Sequence, residues 1–211
     1  MPSYRMACPV ARSLDRLGDR WNLLILRDLH AGPMRFGEIG EGLPGLATNL
    51  LSSRLDDLVA DRFVVKNGAQ YQLTDLGRNT DAILWELARF GMTLAPDDNL
   101  RPTGHLRLIA VTLQSALRTL DLEPSPLTAE LIVDDNSFTI DLSDVPRVTY
   151  GAPARPDVTV TTAYEPLLAA LGGEMTLDDF TERHVVRTGD SNAVQSFDHL
   201  FQRLVTEAFA G

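Results

Sequence analysis

The sequence predicts an α+β chain built from two modules, and three observations carry that prediction. Apolar residues recur at helical spacing from residue 10 onward, give way to two short extended runs between 63 and 73, then resume helical spacing to about residue 92. Beyond residue 105 the order becomes helix, several alternating runs, helix, helix, run, helix, which suits a mixed sheet covered by helices. Between the two stand Ala95-Pro96-Asp97-Asp98-Asn99 and Arg101-Pro102-Thr103-Gly104, residues that disfavour helix and suit a connection. The expected division is a first domain at 1–95, a linker at 96–104 and a second domain at 105–211.

Charge follows the same division. Residues 1–95 hold eleven Lys+Arg and eleven Asp+Glu, whereas 96–211 hold eight against eighteen and so carry the whole net charge of −10. An asymmetry of this kind points to modules with different partners. The first also has a locally basic stretch, with six arginines (5, 12, 16, 20, 27 and 35) against three aspartates, so an acidic total does not exclude a polyanionic partner. With one cysteine, Cys8, there can be no intramolecular disulfide, and with no leader-like start a cytoplasmic address is expected. No apolar run approaches the ~18 residues that span a bilayer, so no membrane partner is expected.

In the first module Val10–Leu17 is a short amphipathic helix ended by Gly18. Asp19 is placed to cap Arg20–His30, in which Trp21, Leu24, Ile25 and Leu29 share a face and Gly32-Pro33 closes the run. Phe36–Glu41 gives a third helix and Pro44-Gly45 a turn. Ala47–Asp61 is the fourth, with Leu51, Leu55 and Leu58 on one face and Thr48, Asn49, Ser52, Ser53 and Asp56 on others. Phe63–Lys66 and Gln70–Leu73 are strands around an Asn67-Gly68 hairpin signal, and Thr74 caps a long helix from Asp75 to about Met92. Helices, a hairpin and a final helix in this order make a winged helix-turn-helix, which presents one helix to the major groove and the hairpin to the backbone or minor groove.

The fourth helix has the chemistry for that role. Thr48, Asn49, Ser52 and Ser53 are short hydrogen-bonding side chains able to approach base edges, and Asn pairs in a bidentate way with adenine. Arg35, Arg54 and Lys66 are candidates for phosphate, with Asn67 at the hairpin tip. Alternatives stay open: Thr48 or Asn49 as helix caps, and Arg54 paired with Asp57 or Asp61.

The segments Cys8-Pro9-Val10, Asp19-Arg20-Trp21, Gly32-Pro33, Arg35-Phe36, Glu38-Ile39, Pro44-Gly45, Leu51-Ser52, Arg54-Leu55 and Tyr71 to Gly77 together resemble the HxlR family of bacterial winged-helix regulators over about residues 7–92. The resemblance implies a homodimer, joined through the first and last helices of the module, on palindromic double-stranded DNA. It also makes Cys8 a possible redox sensor, since some relatives sense oxidants near this position; a small structural residue is the alternative. One departure is Arg62-Phe63 after the fourth helix, where the family has Gly.

In the second module Leu106, Ile109, Leu113, Leu117 and Leu120 mark a helix. Thr128–Val133 and Ser137–Leu142 alternate as strands around Asp134-Asp135-Asn136, and Val148–Tyr150 and Asp157–Thr162 continue the sheet. Thr162 and Glu165 suit a capping box for a helix through Leu171, ended by Gly172-Gly173. Thr176 starts a helix through Glu182, Val185–Arg187 is a strand, and Ser191 caps a helix with Val194, Phe197, Phe201, Leu204 and Ala208 on one face. Asp157-Val158, Leu167 to Gly172, Met175 to Leu177 and Thr188-Gly189-Asp190 make this module look like a sterol-carrier-protein-like domain. That resemblance implies an apolar pocket for a hydrophobic or lipid-like effector, with Phe138, Ile140, Leu168, Met175, Phe180, Phe197 and Phe201 as candidate lining.

No enzyme, metal or cofactor is expected. His30, His105, His184 and His199 fall in separate elements, and no GxSxG, GxGxxG or GxxxxGKS loop is present. The functional expectation is a dimeric DNA-binding transcriptional regulator responsive to a hydrophobic small molecule. The alternative is a lipid carrier whose winged helix serves dimerisation or protein contact.

Overall fold

Residues 3–94, 106–171 and 173–208 are described by the computed structural model; the expected linker at 96–104, like His105 and Gly172, lies outside the described residues. The chain divides into two units, Met1–Leu108 and Ile109–Gly211.

The first unit opens with α1 (Pro9–Leu17), whose Pro9 stands in the first turn, where its missing amide costs no hydrogen bond. α2 (Asn22–His30) starts later than the sequence suggests. Asp19 does not cap it: its Oδ1 accepts from the Trp21 amide at 3.0 Å and its carbonyl accepts from Asn22, which makes a turn ahead of the helix. β1 (Met34–Arg35) then leads directly into α3 (Phe36–Gly42), followed by α4 (Thr48–Ala60), β2 (Val64–Asn67) and β3 (Gln70–Leu73). The strands form one antiparallel sheet in the order β1-β3-β2. Trp21, Ile25, Leu26, Leu29, Met34, Ile39, Leu51, Leu55, Leu58, Val64, Tyr71 and Leu73 form its core.

The exit from α4 sets the angle of the hairpin. Phe63 donates its amide to the Leu58 carbonyl and Arg62 to that of Val59, both at 3.0 Å, the paired bonds of a Schellman motif. Arg62 occupies the left-handed slot of that motif with φ 63°, a conformation that favours glycine.

The long helix expected after Thr74 is two helices, α5 (Asp75–Arg78) and α6 (Asp81–Met92). Thr74 caps α5 as expected, its Oγ1 accepting from the Gly77 amide at 3.1 Å. The break falls where buried Thr80 donates its hydroxyl to the Gly77 carbonyl at 2.7 Å, while His30 Nε2 lies 3.1 Å from Thr80 Oγ1. A Cβ on Gly77 would stand 2.1 Å from the Phe63 carbonyl oxygen, so only glycine lets α5 pack on the exit from α4.

The second unit runs α7 (Leu108–Thr119), β4 (Thr128–Val133), β5 (Asn136–Asp141), β6 (Arg147–Tyr150), β7 (Val158–Thr162), α8 (Tyr164–Leu171), α9 (Leu177–Arg183), β8 (Val186–Gly189) and α10 (Ser191–Arg203), with a π-helical turn at Leu204–Ala208. The sheet is mixed, in the order β6-β5-β4-β7-β8, with β4 parallel to β7 and the other pairs antiparallel. In register, Ala129, Leu131, Val133, Phe138, Ile140, Val148, Val158 and Val160 share one face and are buried, whereas Thr128, Glu130, Thr139, Thr149, Thr159 and Thr161 share the other.

Two caps differ from the sequence reading. Thr162 is the last residue of β7 and does not cap α8; the Tyr164 amide donates instead to Asp134 Oδ1 at 3.3 Å. Asp190, not Ser191, caps α10, its Oδ1 accepting from Asn192 at 2.8 Å and Ala193 at 3.0 Å. A carboxylate with two lone-pair directions satisfies two orphan amides where a serine hydroxyl usually meets one.

Candidate nucleic-acid interface

α4 buries one stripe and exposes the rest. Leu51, Leu55 and Leu58 are each 1% exposed. Thr48, Asn49, Ser52 and Ser53 are all exposed and fall within an arc of about 140° at ~100° per residue. Asn49 turns its Oδ1 to the Leu50 amide at 2.9 Å, which orients its Nδ2 group and meets one orphan donor of the first turn. Ala47 precedes the helix and has no side-chain oxygen, so the other early amides have no side-chain cap.

Arg54 does not join this face. Its Nη2 lies 3.0 Å from Asp19 and its Nη1 2.9 Å from Asp57, with the side chain 16% exposed. The expectation of a phosphate contact is corrected: Arg54 points to the turn before α2 and is held there by two carboxylates. Arg16 is likewise engaged, with Asp61 at the end of α4.

The hairpin divides its candidates between two faces. Asn67 is not in the turn but pairs with Gln70, leaving Gly68 and Ala69 to reverse the chain. Arg35 pairs with Gln70 from the other side, so Arg35, Gln70 and Asn67 form one exposed row across the sheet. Lys66 pairs with Tyr71 and shares the face of Met34 and Tyr71, its Nζ 5.3 Å from the Tyr71 ring centre. Its stem covers the core edge while the ammonium stays wet. Sequence spacing missed β1 because two residues show no period; its signal is the return of Met34 and Arg35 alongside the wing.

Other faces of this unit are apolar and open. Val10 and Leu14 on α1 are 66% and 45% exposed; Ile83, Leu87 and Phe90 on α6 are 42%, 49% and 63% exposed. Cys8 is exposed at the N-cap of α1.

In the second unit the expected pocket residues are only partly brought together. Phe180 stacks on Phe201 at 5.3 Å and Phe201 on Phe197 at 6.3 Å. These three line a cavity of about 10 Å³ with Leu131, Val160, Leu167 and Arg187. Phe138 and Ile140 are buried at other points of the same sheet face, Phe138 edge-on to Tyr150 at 5.6 Å. Leu168 is a correction: at 45% exposed it lies on the outer side of α8, because its neighbour Leu167 takes the inward position. Met175 is half-buried and not among the lining residues of that cavity. Arg187, which shares the inward face with Val160, donates through Nε to Asp198 at 2.8 Å and through Nη1 to the Thr181 carbonyl at 3.1 Å.

Among the described residues no group of His, Cys, Asp and Glu is placed to hold a metal, and no helix is long and apolar enough to cross a membrane.

Residues 16–99 match the family described as HxlR-like helix-turn-helix. An uncharacterised HTH-type transcriptional regulator of Mycobacterium bovis is 37% identical over 102 residues, which cover 45% of this chain and 61% of that protein. The uncharacterised HTH-type transcriptional regulator YvaP of Bacillus subtilis is 34% identical over 91 residues, 39% of this chain and 84% of that one. Among solved structures, quinone-bound YodB from B. subtilis is 34% identical and covers 41% of this chain and 100% of its own, with a TM-score of 0.39. These relatives are transcriptional regulators, not enzymes. With the family's pattern spanning residues 16–99 and a relative 34% identical over 84% of its length, the chain belongs to the HxlR-like helix-turn-helix family.

Proposed function

We propose that the protein is a DNA-binding transcriptional regulator that works as a homodimer on a palindromic operator. The observation that carries this reading is the exposed face of α4, where Thr48, Ser52, Ser53 and the Nδ2 group of Asn49 are open to base edges. Arg35 and Asn67 on the outer row of the hairpin, and Lys66 on its inner face, are the supporting backbone contacts. The open apolar faces of α1 and α6 support the dimer, since Val10, Leu14, Leu87 and Phe90 are costly to leave in water. Cys8, exposed beside α1, is the candidate for a redox input to that dimer.

For the second unit the proposal is a sterol-carrier-like domain that takes a hydrophobic effector. Its element order and the Phe180, Phe197 and Phe201 cluster between sheet and helices support that reading. A cavity of about 10 Å³ holds no more than about one water, so an effector has to part α9 and α10 from the sheet to enter.

The test is a binding titration at fixed salt with the DNA upstream of the protein's own coding region, comparing the native chain with Asn49→Ala. Specific binding that weakens by ~1–3 kcal/mol in Asn49→Ala is expected. Binding of lipid without specific binding of DNA would favour the carrier reading instead.

A further inference from the structure

Asp56 stands on the same exposed face of α4 as the residues proposed to read DNA, and its carboxylate is engaged by no other group among the described residues. The only cation of this helix, Arg54, is turned away and bound to Asp19 and Asp57. The reading face is therefore neutral along Thr48, Asn49, Ser52 and Ser53 and negative at Asp56. A carboxylate beside phosphates is repelled, so nonspecific attraction does not explain an unpaired one here. The base edges offer a partner. A carboxylate only accepts hydrogen bonds, and in the major groove the cytosine N4 amino group donates one. Guanine and thymine edges offer only acceptor atoms, and adenine sets its N7 acceptor beside its N6 donor, so a carboxylate meets an opposing lone pair at each of the three.

We infer that Asp56 is a specificity-determining residue, which selects cytosine at one position of each half-site by accepting a hydrogen bond from its N4 amino group. The inference rests on α4 being the reading helix. Thr48, Ser52 and Asp56 follow one another at four-residue spacing, so Asp56 lies about 12 Å along the axis from Thr48. That distance puts it at a different base step from Asn49, and the two residues divide the half-site between them. The same charge that accepts cytosine lowers affinity for every sequence lacking a donor there.

The experiment is selection of binding sites from a randomised duplex library at fixed salt, using the full chain, Asp56→Asn, Asp56→Ala and Asn49→Ala. The native chain is expected to enrich a palindromic motif with a cytosine in each half. Asp56→Ala then loses preference at that position alone, by roughly tenfold. Asp56→Asn shifts it toward adenine, the base that an amide side chain pairs with best. Asn49→Ala changes a different position. If both Asp56 variants keep the native motif everywhere and merely bind all sequences more tightly, Asp56 is a repelling charge and the inference fails, while a change in Asn49→Ala leaves α4 as reader. A native chain that enriches no motif overturns both. Circular dichroism of each variant confirms that the exposed substitution leaves the fold intact.

Discussion

The Arg54 guanidinium bridges two carboxylates of different origin, Asp19 at 3.0 Å in the turn before α2 and Asp57 at 2.9 Å on its own helix. The bridge ties the middle of α4 to the start of α2 and so fixes how far the reading face projects. Arg54→Ala removes the bridge and leaves Asp19, only 13% exposed, without its cation. A loss of roughly 1–3 kcal/mol in urea unfolding is expected, since a partly buried pair is costly to break from one side. The salt dependence of DNA binding should stay the same, whereas Lys66→Ala should lower its slope by about one. A reduced slope in Arg54→Ala would restore that residue to the phosphate backbone.

Arg62 keeps φ at 63° inside the Schellman motif, a conformation that strains any side chain other than glycine. Arg62→Gly is expected to raise stability by about 0.5–1 kcal/mol, seen as a higher urea midpoint with an unchanged slope. An unchanged or lower midpoint would mean that the arginine side chain makes up for its backbone.

The proposed dimer makes a demand of α6. Leu87 and Phe90 are 49% and 63% exposed in the single chain, so charge at both should be tolerated by the fold and not by the interface. The variant Leu87→Glu with Phe90→Glu is expected to sediment as a folded monomer at micromolar concentration. If it stays dimeric, the two subunits are joined elsewhere.

Asp141 supplies a pH test in the second unit. Ser143 donates to its Oδ1 through Oγ at 2.6 Å and through its amide at 2.9 Å, and these bonds hold the carboxyl below the ordinary aspartate value. A folded-state value depressed below the unfolded one gives stability that is present above the unfolded pKa and fades as pH falls through the folded pKa. Ser143→Ala removes the larger cause, so the Asp141 carboxyl should titrate at higher pH by NMR. An unmoved titration would shift the cause to the remaining amide bond and to Arg147.

The sequence carried the helices and strands whose period spans several residues, and it carried the exposed set on α4 because Leu51, Leu55 and Leu58 define the opposite stripe. It did not reveal the break at Asn79-Thr80, where a buried hydroxyl and His30 act from outside the helix. The place of Arg54 is not legible for a similar reason: Asp19, thirty-five positions earlier, is brought beside it only by the fold. Composition does not tell which of the adjacent leucines Leu167 and Leu168 turns inward. Asp134 as the partner of the Tyr164 amide depends on the parallel pairing of β4 with β7, a relation between segments thirty residues apart.

That parallel pairing has a consequence for how the chain is made. β5 and β6 fold back beside β4 as soon as they are synthesised, but the other flank of β4 waits for β7, and the aromatic cover of Phe197 and Phe201 comes only with α10. At ~5–20 residues per second, the fifty or so residues from Tyr150 to Phe201 take about 3–10 s to leave the ribosome. During that interval Leu131, Phe138 and Ile140 have only the already finished α7 for shelter. The winged-helix unit, complete before β4 is made, is spared this delay. How long this sheet face waits for its cover is then set by the pace of translation.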